Sequence, residues 1–391
     1  MSIVDVLIIG AGHSGVAVAT ELRRAGFPGT VALANAETIE PYHRPPLSKA
    51  WLSSDAAEES GWLQPPGYFT SNSIDIVPVA VVGLEVEGRR AEFADGSAID
   101  FGDAIIATGA LAREIPLPVT PEVPFLSLRD GADARRLRDL LKPGSHLAVI
   151  GAGFIGLEVA ATARRLGASV TVIEREPRVL ARLASQELSD YLTSLHRGHG
   201  VDILLATDVL AIHATESGAR IAVSGRESVS AGDVLADNVL VAIGAVPNDA
   251  LARGAGIECA GGILVDDAGR TSALHVFAVG DVARRPLPPF AELARLESVH
   301  NANEHARIVA AGLAGVPAPA PAVPWFWSDQ YDRKLQVAGL LPPESEVTVV
   351  GEVSAGAFAL EHRVAGRLVC VEAVNASKEF ALGRRQIAKE L

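Results

Sequence analysis

The sequence predicts an α/β protein with two Rossmann-like dinucleotide-binding domains followed by a smaller C-terminal α+β domain. Three observations carry this. An apolar run at 6–9 enters Gly10-Ala11-Gly12-His13-Ser14-Gly15, and a second run at 147–150 enters Gly151-Ala152-Gly153-Phe154-Ile155-Gly156. Each G-x-G-x-x-G opens a helical stretch and is followed by a short apolar strand with an acid at its end, Glu37 in one copy and Glu174 in the other. Beyond a Pro-Ala linker at 318–324 the composition shifts to dense aromatics and short strands. One glycine fingerprint is weak grounds, because glycine turns are common after strands. Repetition of a whole strand–turn–helix–strand unit is far more specific.

The totals bound the rest. A chain of 391 residues holds two or three domains. A net charge of −13 disfavours nucleic acid and anionic membrane surfaces as partners. The two cysteines, Cys259 and Cys370, are far apart and form no CxxC, zinc set or iron–sulfur set, so no metal site is expected. No apolar run reaches the roughly 18 residues a membrane helix needs, and no cleavable leader precedes the first strand. Two thiols in so long a chain fit a reducing compartment, and the expectation is a soluble, cytoplasmic protein.

In the first unit Gly10 permits the turn, Gly12 lets backbone approach a pyrophosphate, and Gly15 lets helix and strand pack. The helix N-terminus offers free N–H groups and a partial positive charge to phosphates. The helix runs over 14–24 and ends at Ala25-Gly26. A strand at 30–34 leads to Glu37, placed about 20 residues past the last glycine, where a carboxylate can accept from both hydroxyls of a ribose. The proline-stiffened PYHRPPLSK at 41–49 carries Arg44 and Lys49, cations that can neutralise a pyrophosphate or a reduced flavin anion. Residues 74–101 alternate apolar and polar around turns at Gly83, Gly88 and 95–96, the pattern of a β-meander. DAIIATGA at 103–110 reads as a buried strand ending in Thr108-Gly109, with Arg113 just beyond and a linker containing Pro116, Pro118, Pro121 and Pro124.

In the second unit the helix spans 157–166, Gly167 caps it, and the strand 169–173 ends at Glu174. Two dinucleotide sites in one chain suggest FAD plus a nicotinamide cofactor. Glu174 favours the free 2′-hydroxyl of NADH, while Arg175 beside it could accept the 2′-phosphate of NADPH; NADH is the expected choice. Residues 233–244 read as one strand ending in a glycine turn that returns the chain to the first unit. VFAVGDV at 276–282 reads as a strand ending in Gly280-Asp281. Asp281 suits a flavin ribityl hydroxyl or a plain helix N-cap. A helix spans 299–313. PWFWSDQ at 324–330 is either a core anchor or a face against a planar ring. Strands at 335–339, 347–351, 357–362 and 367–374 and a terminal helix complete the chain.

The motifs PYHRPPLSK, ATGA (107–110), GAGFIGLEVAA (151–161), VAIGAVPN (241–248), VFAVGDV, ESVHNAN (297–303) and PWFWSDQ, in this order and spacing, resemble the FAD-dependent, NADH-using ferredoxin reductases that serve bacterial oxygenases. The resemblance implies a glutathione-reductase-like architecture. A split FAD domain would take 1–112 and 245–322, an NAD domain 113–244, and a C-terminal interface domain 323–391. It implies Gly12, Glu37, Arg44, Lys49, Thr108, Gly109, Arg113 and Asp281 as FAD ligands. Gly153, Ile155, Glu158, Glu174 and Gly244 would be NADH ligands, and Glu297, Val299 and Trp327 would lie near the flavin and nicotinamide. The cofactor-binding set extends to the rest of both fingerprints (Gly10, His13, Ser14, Gly15, Gly151, Phe154, Gly156) and to Ala107 and Gly280. Departures are His43, where many relatives carry an acid or its amide, Ala36, where some carry an acid, and a shorter C-terminal end.

The activity implied is hydride transfer from NADH to flavin N5, then single-electron delivery to a [2Fe–2S] ferredoxin that feeds a haem monooxygenase or ring-hydroxylating dioxygenase. Lys49, salt-bridged to Glu158, would stabilise reduced flavin, with Trp327 beside them. A monomer or weak dimer is expected. Arg284, Arg285, Arg384 and Arg385 are candidates for a basic patch receiving an acidic ferredoxin. Rival readings are an NADH oxidase or peroxidase-like flavoenzyme and a flavoprotein signalling module. A disulfide reductase of this architecture is disfavoured, since RPPLSK stands where its cysteine pair would be.

Overall fold

The computed structural model describes residues 2–37, 39–54, 61–117, 123, 125–225, 232–287 and 292–390. The first sheet is built on the strand Ser2–Ile9, which lies parallel between Val31–Ala34 and Ala98–Ile106. Val6, Leu7 and Ile8 are fully buried, as a strand covered on both faces requires. Helix His13–Arg24 packs its buried face, Val16, Val18, Ala19 and Leu22, against this sheet and against the helix Val299–Ala314.

The long strand Ala98–Ile106 has two outer neighbours. Arg90–Phe93 pairs antiparallel with its first half, and Val276–Ala278 pairs parallel with its last three residues. The chain therefore leaves this sheet, builds a second unit, and comes back to it. Two expectations are corrected here. Ile74–Val77 is not part of the meander but a parallel neighbour of Val31–Ala34; only Val81–Glu85, Arg90–Phe93 and Ala98–Ile106 form the antiparallel set. Alternation of side chains is the same for either partner, so periodicity could not choose. The strand expected at 103–110 ends at Ile106, because Gly109 turns the chain at φ +70°. Ala110–Ala112 is a separate strand, antiparallel to Ala245–Pro247, so the outgoing and returning crossings are hydrogen-bonded to each other.

The second sheet is parallel, in the order Val201–Leu204, Ser169–Ile173, His146–Ile150, Asn238–Val241, Phe125–Leu126. The expected single strand at 233–244 is two. Val234–Ala236 belongs to a three-stranded antiparallel sheet with Thr207–Thr215 and Gly218–Gly225, and Asn238–Val241 to the parallel one. Between them Asp237 ties both ways to His146: its N–H donates to the His146 carbonyl at 2.9 Å, and its carboxylate accepts from the His146 N–H at 2.7 Å. Of the linker prolines, Pro118, Pro121 and Pro124 lie outside the described residues.

The C-terminal sheet runs Trp325–Gln330, Arg333–Gly339, Arg367–Val374, Ala357–Val364, Glu346–Glu352, all antiparallel. Helix Ser377–Glu390 covers one face through Phe380 and Ile387. Among the described residues no helix is long and apolar enough to cross a membrane, and no group of His, Cys, Asp and Glu could hold a metal ion.

Candidate functional site

Both fingerprints form the same object. Gly10 has φ +110° and Gly151 φ +102°, values that L side chains rarely adopt. A Cβ on either would stand 2.5 Å from the carbonyl oxygen of the residue just past a neighbouring strand, Ala107 in one case and Ala242 in the other. Gly15 and Gly156 close each turn, where a Cβ would overlap the carbonyl of Gly10 or Gly151. The middle glycines differ in kind. A Cβ on Gly12 meets nothing within 4 Å, and on Gly153 only the Ala242 oxygen at 4.0 Å. These two residues are also the helix N-caps, and neither helix end has a side-chain cap. Open space beside unsatisfied N–H groups at a positive helix end fits an anionic phosphate at both places.

Each strand-end acid is held in place. Glu37 accepts from the Tyr42 hydroxyl at 2.6 Å and pairs with Arg44, whose guanidinium lies 4.5 Å over the Tyr42 ring and donates to the Arg129 carbonyl at 3.1 Å. Glu174 accepts from the N–H of Ala152, inside the second fingerprint, at 2.6 Å and from Glu176 N–H at 2.9 Å. Arg175 is 77% exposed and turned toward Asp208 at 3.9 Å. Gly244, φ +107°, has open space where a Cβ would be.

The remaining expected residues divide. Gly280 sits against the first helix, a Cβ there being 2.5 Å from Ser14 Oγ. Thr108 donates its hydroxyl to the Asn248 carbonyl at 2.7 Å. Asp281 follows a short strand and lies in the 3₁₀ turn Gly280–Val282, so it is not a helix N-cap; the next element is the strand Ala283–Leu287. Burial pushes its carboxyl up, and Arg129 at 3.7 Å pulls it back down. Val299 lines a recess with His13 and His43, whose rings share a 3.2 Å contact between Nε2 and Nδ1. Arg113 is exposed and reaches the Ala245 carbonyl at 3.4 Å; Glu297 is exposed and paired with Arg295; Ile155 is 47% exposed. The aromatic motif splits its duties: Trp325 packs against His300 and Phe380, while half-buried Trp327 tilts against Trp325 at 5.5 Å.

The two units and the C-terminal sheet meet at Glu158, which is 6% exposed on the second fingerprint helix. Lys49 Nζ lies 2.5 Å from Glu158 Oε2, Ser48 Oγ donates to the same oxygen at 2.5 Å, and Ser328 Oγ donates to Oε1 at 2.6 Å. Thr162, one turn further along, donates to the Ser48 carbonyl at 2.9 Å. Sequence reasoning did not single out Ser48, Ser328, Tyr42 or Arg129. The signal was present for two of them: Ser48 sits inside RPPLSK, and Ser328 and Gln330 alternate on the buried face of PWFWSDQ.

The basic patch needs correction. Arg285 is 8% exposed and bonded to Glu304 at 3.0 Å and Asn301 at 3.1 Å, because alternate residues of Ala283–Leu287 point inward. It cannot meet a partner. Arg284 spends its guanidinium on the Ala260 and Leu293 carbonyls, and Arg384 lies over the Trp325 ring at 5.4 Å. Arg385 remains exposed.

Burial holds three imidazoles neutral: His13 falls to about 3, His196 to about 4 and His305 to about 3. Among the described residues neither ring nitrogen of fully buried His305 has a hydrogen-bond partner. Its folded value lies below the unfolded one, so the unfolded chain takes up the proton first and stability is lost as pH falls below 6.5. At pH 5 the loss is about 2 kcal/mol for one such histidine. His305→Phe is expected to lose less melting temperature than the wild type between pH 7.5 and 5; equal losses would show that this ring is not responsible.

Residues 4–306 match the family described as pyridine nucleotide-disulphide oxidoreductase, and residues 325–391 the one described as reductase C-terminal. Rhodocoxin reductase of Rhodococcus erythropolis is 41% identical over 389 residues, which span 99% of this chain and 90% of the relative. The chain belongs to the FAD-dependent ferredoxin reductases. Two ferredoxin reductase structures share its fold throughout. The one serving the CYP199A2 system of Rhodopseudomonas palustris has a TM-score of 0.92 at 40% identity, covering 97% of this chain and 93% of its own. Putidaredoxin reductase, in a covalent complex with putidaredoxin, has a TM-score of 0.94 at 34% identity, covering 99% and 94%. As a ferredoxin reductase the protein is an oxidoreductase that uses FAD and a nicotinamide dinucleotide. The two uncapped, open-sided glycine turns fit that pair of cofactors.

Proposed function

We propose that this enzyme takes reducing equivalents from NADH and delivers them one at a time to a [2Fe–2S] ferredoxin that serves an oxygenase. The observation that carries the reading is the Lys49–Glu158 contact. It brings a cation from the first dinucleotide unit and an acid from the second to one buried point, where two bound dinucleotides would meet. The names of similar proteins support the partner: one solved neighbour is joined to putidaredoxin, and another is the reductase for a CYP199A2 system.

In this reading the parts at 1–112 and 245–322 hold FAD through Gly12, His13, Ser14, Glu37, Arg44, Thr108, Gly109 and Asp281. The part at 113–244 holds NADH through Gly153, Phe154, Ile155 and Glu174, and 323–391 forms the partner-facing side. Bound FAD supplies the conversion of a two-electron hydride into two single electrons. The chain's own contribution is position and charge. The fingerprint N–H groups orient each pyrophosphate. Glu174, fixed by Ala152 N–H, offers its carboxylate to a ribose diol. Lys49 holds a positive charge where reduced flavin is anionic, and Glu158 holds Lys49. No general acid or activated nucleophile is required of the protein.

The test is the anaerobic visible spectrum of the holoenzyme before and after one equivalent of NADH, with NADPH in parallel. Fast bleaching with NADH supports the reading. Bleaching by NADPH alone overturns the role of Glu174, and an unbleached flavin shifts the assignment to a signalling module. Glu174→Ala is expected to lower kcat/KM for NADH about tenfold, the worth of one bidentate hydrogen-bonded recognition, and to leave NADPH little changed. A parallel drop with both nucleotides would show that Glu174 does not read the 2′ position.

A further inference from the structure

Glu158 is the end of a line of buried polar groups that the proposed mechanism does not use. Ser328 Oγ donates to it at 2.6 Å; Gln330 Nε2 donates to Ser328 Oγ at 3.1 Å; Gln330 Oε1 lies 2.8 Å from His196 Nε2; and the Tyr331 hydroxyl lies 3.3 Å from His196 Nδ1. Ser328, Gln330 and His196 are at most 1% exposed. Tyr331 closes the line, stacked on His199 with centroids 3.7 Å apart. Glu158, Ser328 with Gln330, and His196 come from three elements, helix Phe154–Arg165, strand Trp325–Gln330 and helix Gln186–Gly198, and Tyr331 from the turn after that strand.

Proton counting gives the line a direction. A carboxylate only accepts, so Ser328 must spend its single proton on Glu158. Its oxygen is then left to accept from the Gln330 NH₂. That turns the amide oxygen toward His196, whose Nε2 must carry the ring proton, and leaves Nδ1 to accept from Tyr331. The flipped amide would ask Ser328 to donate twice, which it cannot do. Desolvation keeps His196 neutral, as this arrangement needs.

We propose that Ser328, Gln330 and His196 are positioning residues for the Lys49–Glu158 pair, a one-way row of donors that ends on Glu158 and fixes where Lys49 holds its charge. Aligned donors polarise one another, so the row stabilises its terminal carboxylate more than a lone serine would. The proposal rests on the reading that Lys49 faces the flavin. The other groups at hand are few. Lys49 and Ser48 face Glu158, and His199, Arg164 and Arg165 surround the far end at His196 and Tyr331.

Gln330→Glu tests the direction, because it keeps shape and replaces the donor by a titrating acceptor. Ionised, the new carboxylate competes for the Ser328 proton and sets a second negative charge near Glu158. Protonated, it can donate again. We would follow reduction of bound flavin by NADH, the FAD midpoint potential and the melting temperature from pH 5.5 to 9. The expected result is a variant about tenfold slower than wild type at the alkaline end and within about twofold at the acid end, with the potential displaced from wild type only at the alkaline end. A variant-to-wild-type ratio constant across pH, in folded protein, overturns the proposal. If Gln330→Glu does not fold, Ser328→Ala is expected to slow reduction several-fold at every pH and Ser328→Thr to restore it; a wild-type rate in Ser328→Ala overturns the proposal equally. Failure of the underlying reading looks different: Lys49→Met would then reduce at the wild-type rate.

Discussion

Lys49→Met is expected to slow reduction of the bound flavin by NADH about a hundredfold, in the range of losing one preorganised charge contact at a reacting centre, while the protein stays folded and yellow. Methionine keeps the unbranched apolar stem and stops one atom short of the ammonium, so the change chiefly removes the charge. Among the described residues Lys49 Nζ touches three acceptors, Glu158 Oε2 at 2.5 Å, the Pro45 carbonyl at 3.1 Å and Ser48 Oγ at 3.3 Å. Only Glu158 carries a charge. Removing its cation leaves a buried carboxylate with hydroxyl donors alone, which costs stability as well as rate. The double change Lys49→Met with Glu158→Gln separates the two effects: melting temperature should recover and the reduction rate should not. Stopped-flow reduction of all three forms decides it, and an undiminished rate in Lys49→Met would remove Lys49 from the mechanism.

Gly12→Ala and Gly153→Ala should give opposite phenotypes from the same substitution. At neither position does an added methyl strain the chain, since both face open space and neither needs a positive φ. Both variants should fold with melting temperatures near that of wild-type apoprotein. Gly12→Ala places its methyl where the first pyrophosphate approaches backbone, and the purified protein should be largely colourless, with FAD affinity reduced a hundredfold or so. Gly153→Ala should be yellow, with a flavin that NADH reduces only at raised concentration. Reversed phenotypes would exchange the cofactors between the two units. Loss of fold in either would show that the open space serves packing.

The contrast between these glycines also shows what could be read from the chain. Gly15 and Gly156 are required by the carbonyl of their own turn, and Gly10 and Gly151 by a positive φ within it, so the local pattern announces itself twice. Glu37 and Glu174 come with it, because a parallel strand next to the first must end beside the turn. The misplacements have a common cause in side chains whose partner is distant. Arg285 looks like a surface charge until Glu304 and Asn301 arrive from another helix. Gln330 and His196 are 134 residues apart, and nothing local in either segment marks them as neighbours. Ile74–Val77 and residues 233–244 differ from expectation for the related reason that strand pairing is a choice made by the whole sheet. Arg129 lies past the proline-rich crossing, in the half expected to hold NADH, yet it reaches Asp281 and the Arg44 guanidinium.

The paired crossings have a further meaning. Ala112 faces Ala245, Leu111 faces Val246 and Ala110 faces Pro247, and the bonds Arg113 N–H to Gly244 O and Asn248 N–H to Gly109 O extend the ladder at both ends. Topologically, everything between Arg113 and Gly244 is the loop of a β-hairpin, grown to the size of a nucleotide-binding fold. The two ends of that enormous loop are as close as the ends of an ordinary two-residue turn. The covalent chain of the first unit is thus interrupted at this one place, while Lys49–Glu158 and the Arg44 contact with the Arg129 carbonyl fasten the inserted unit to it a second time.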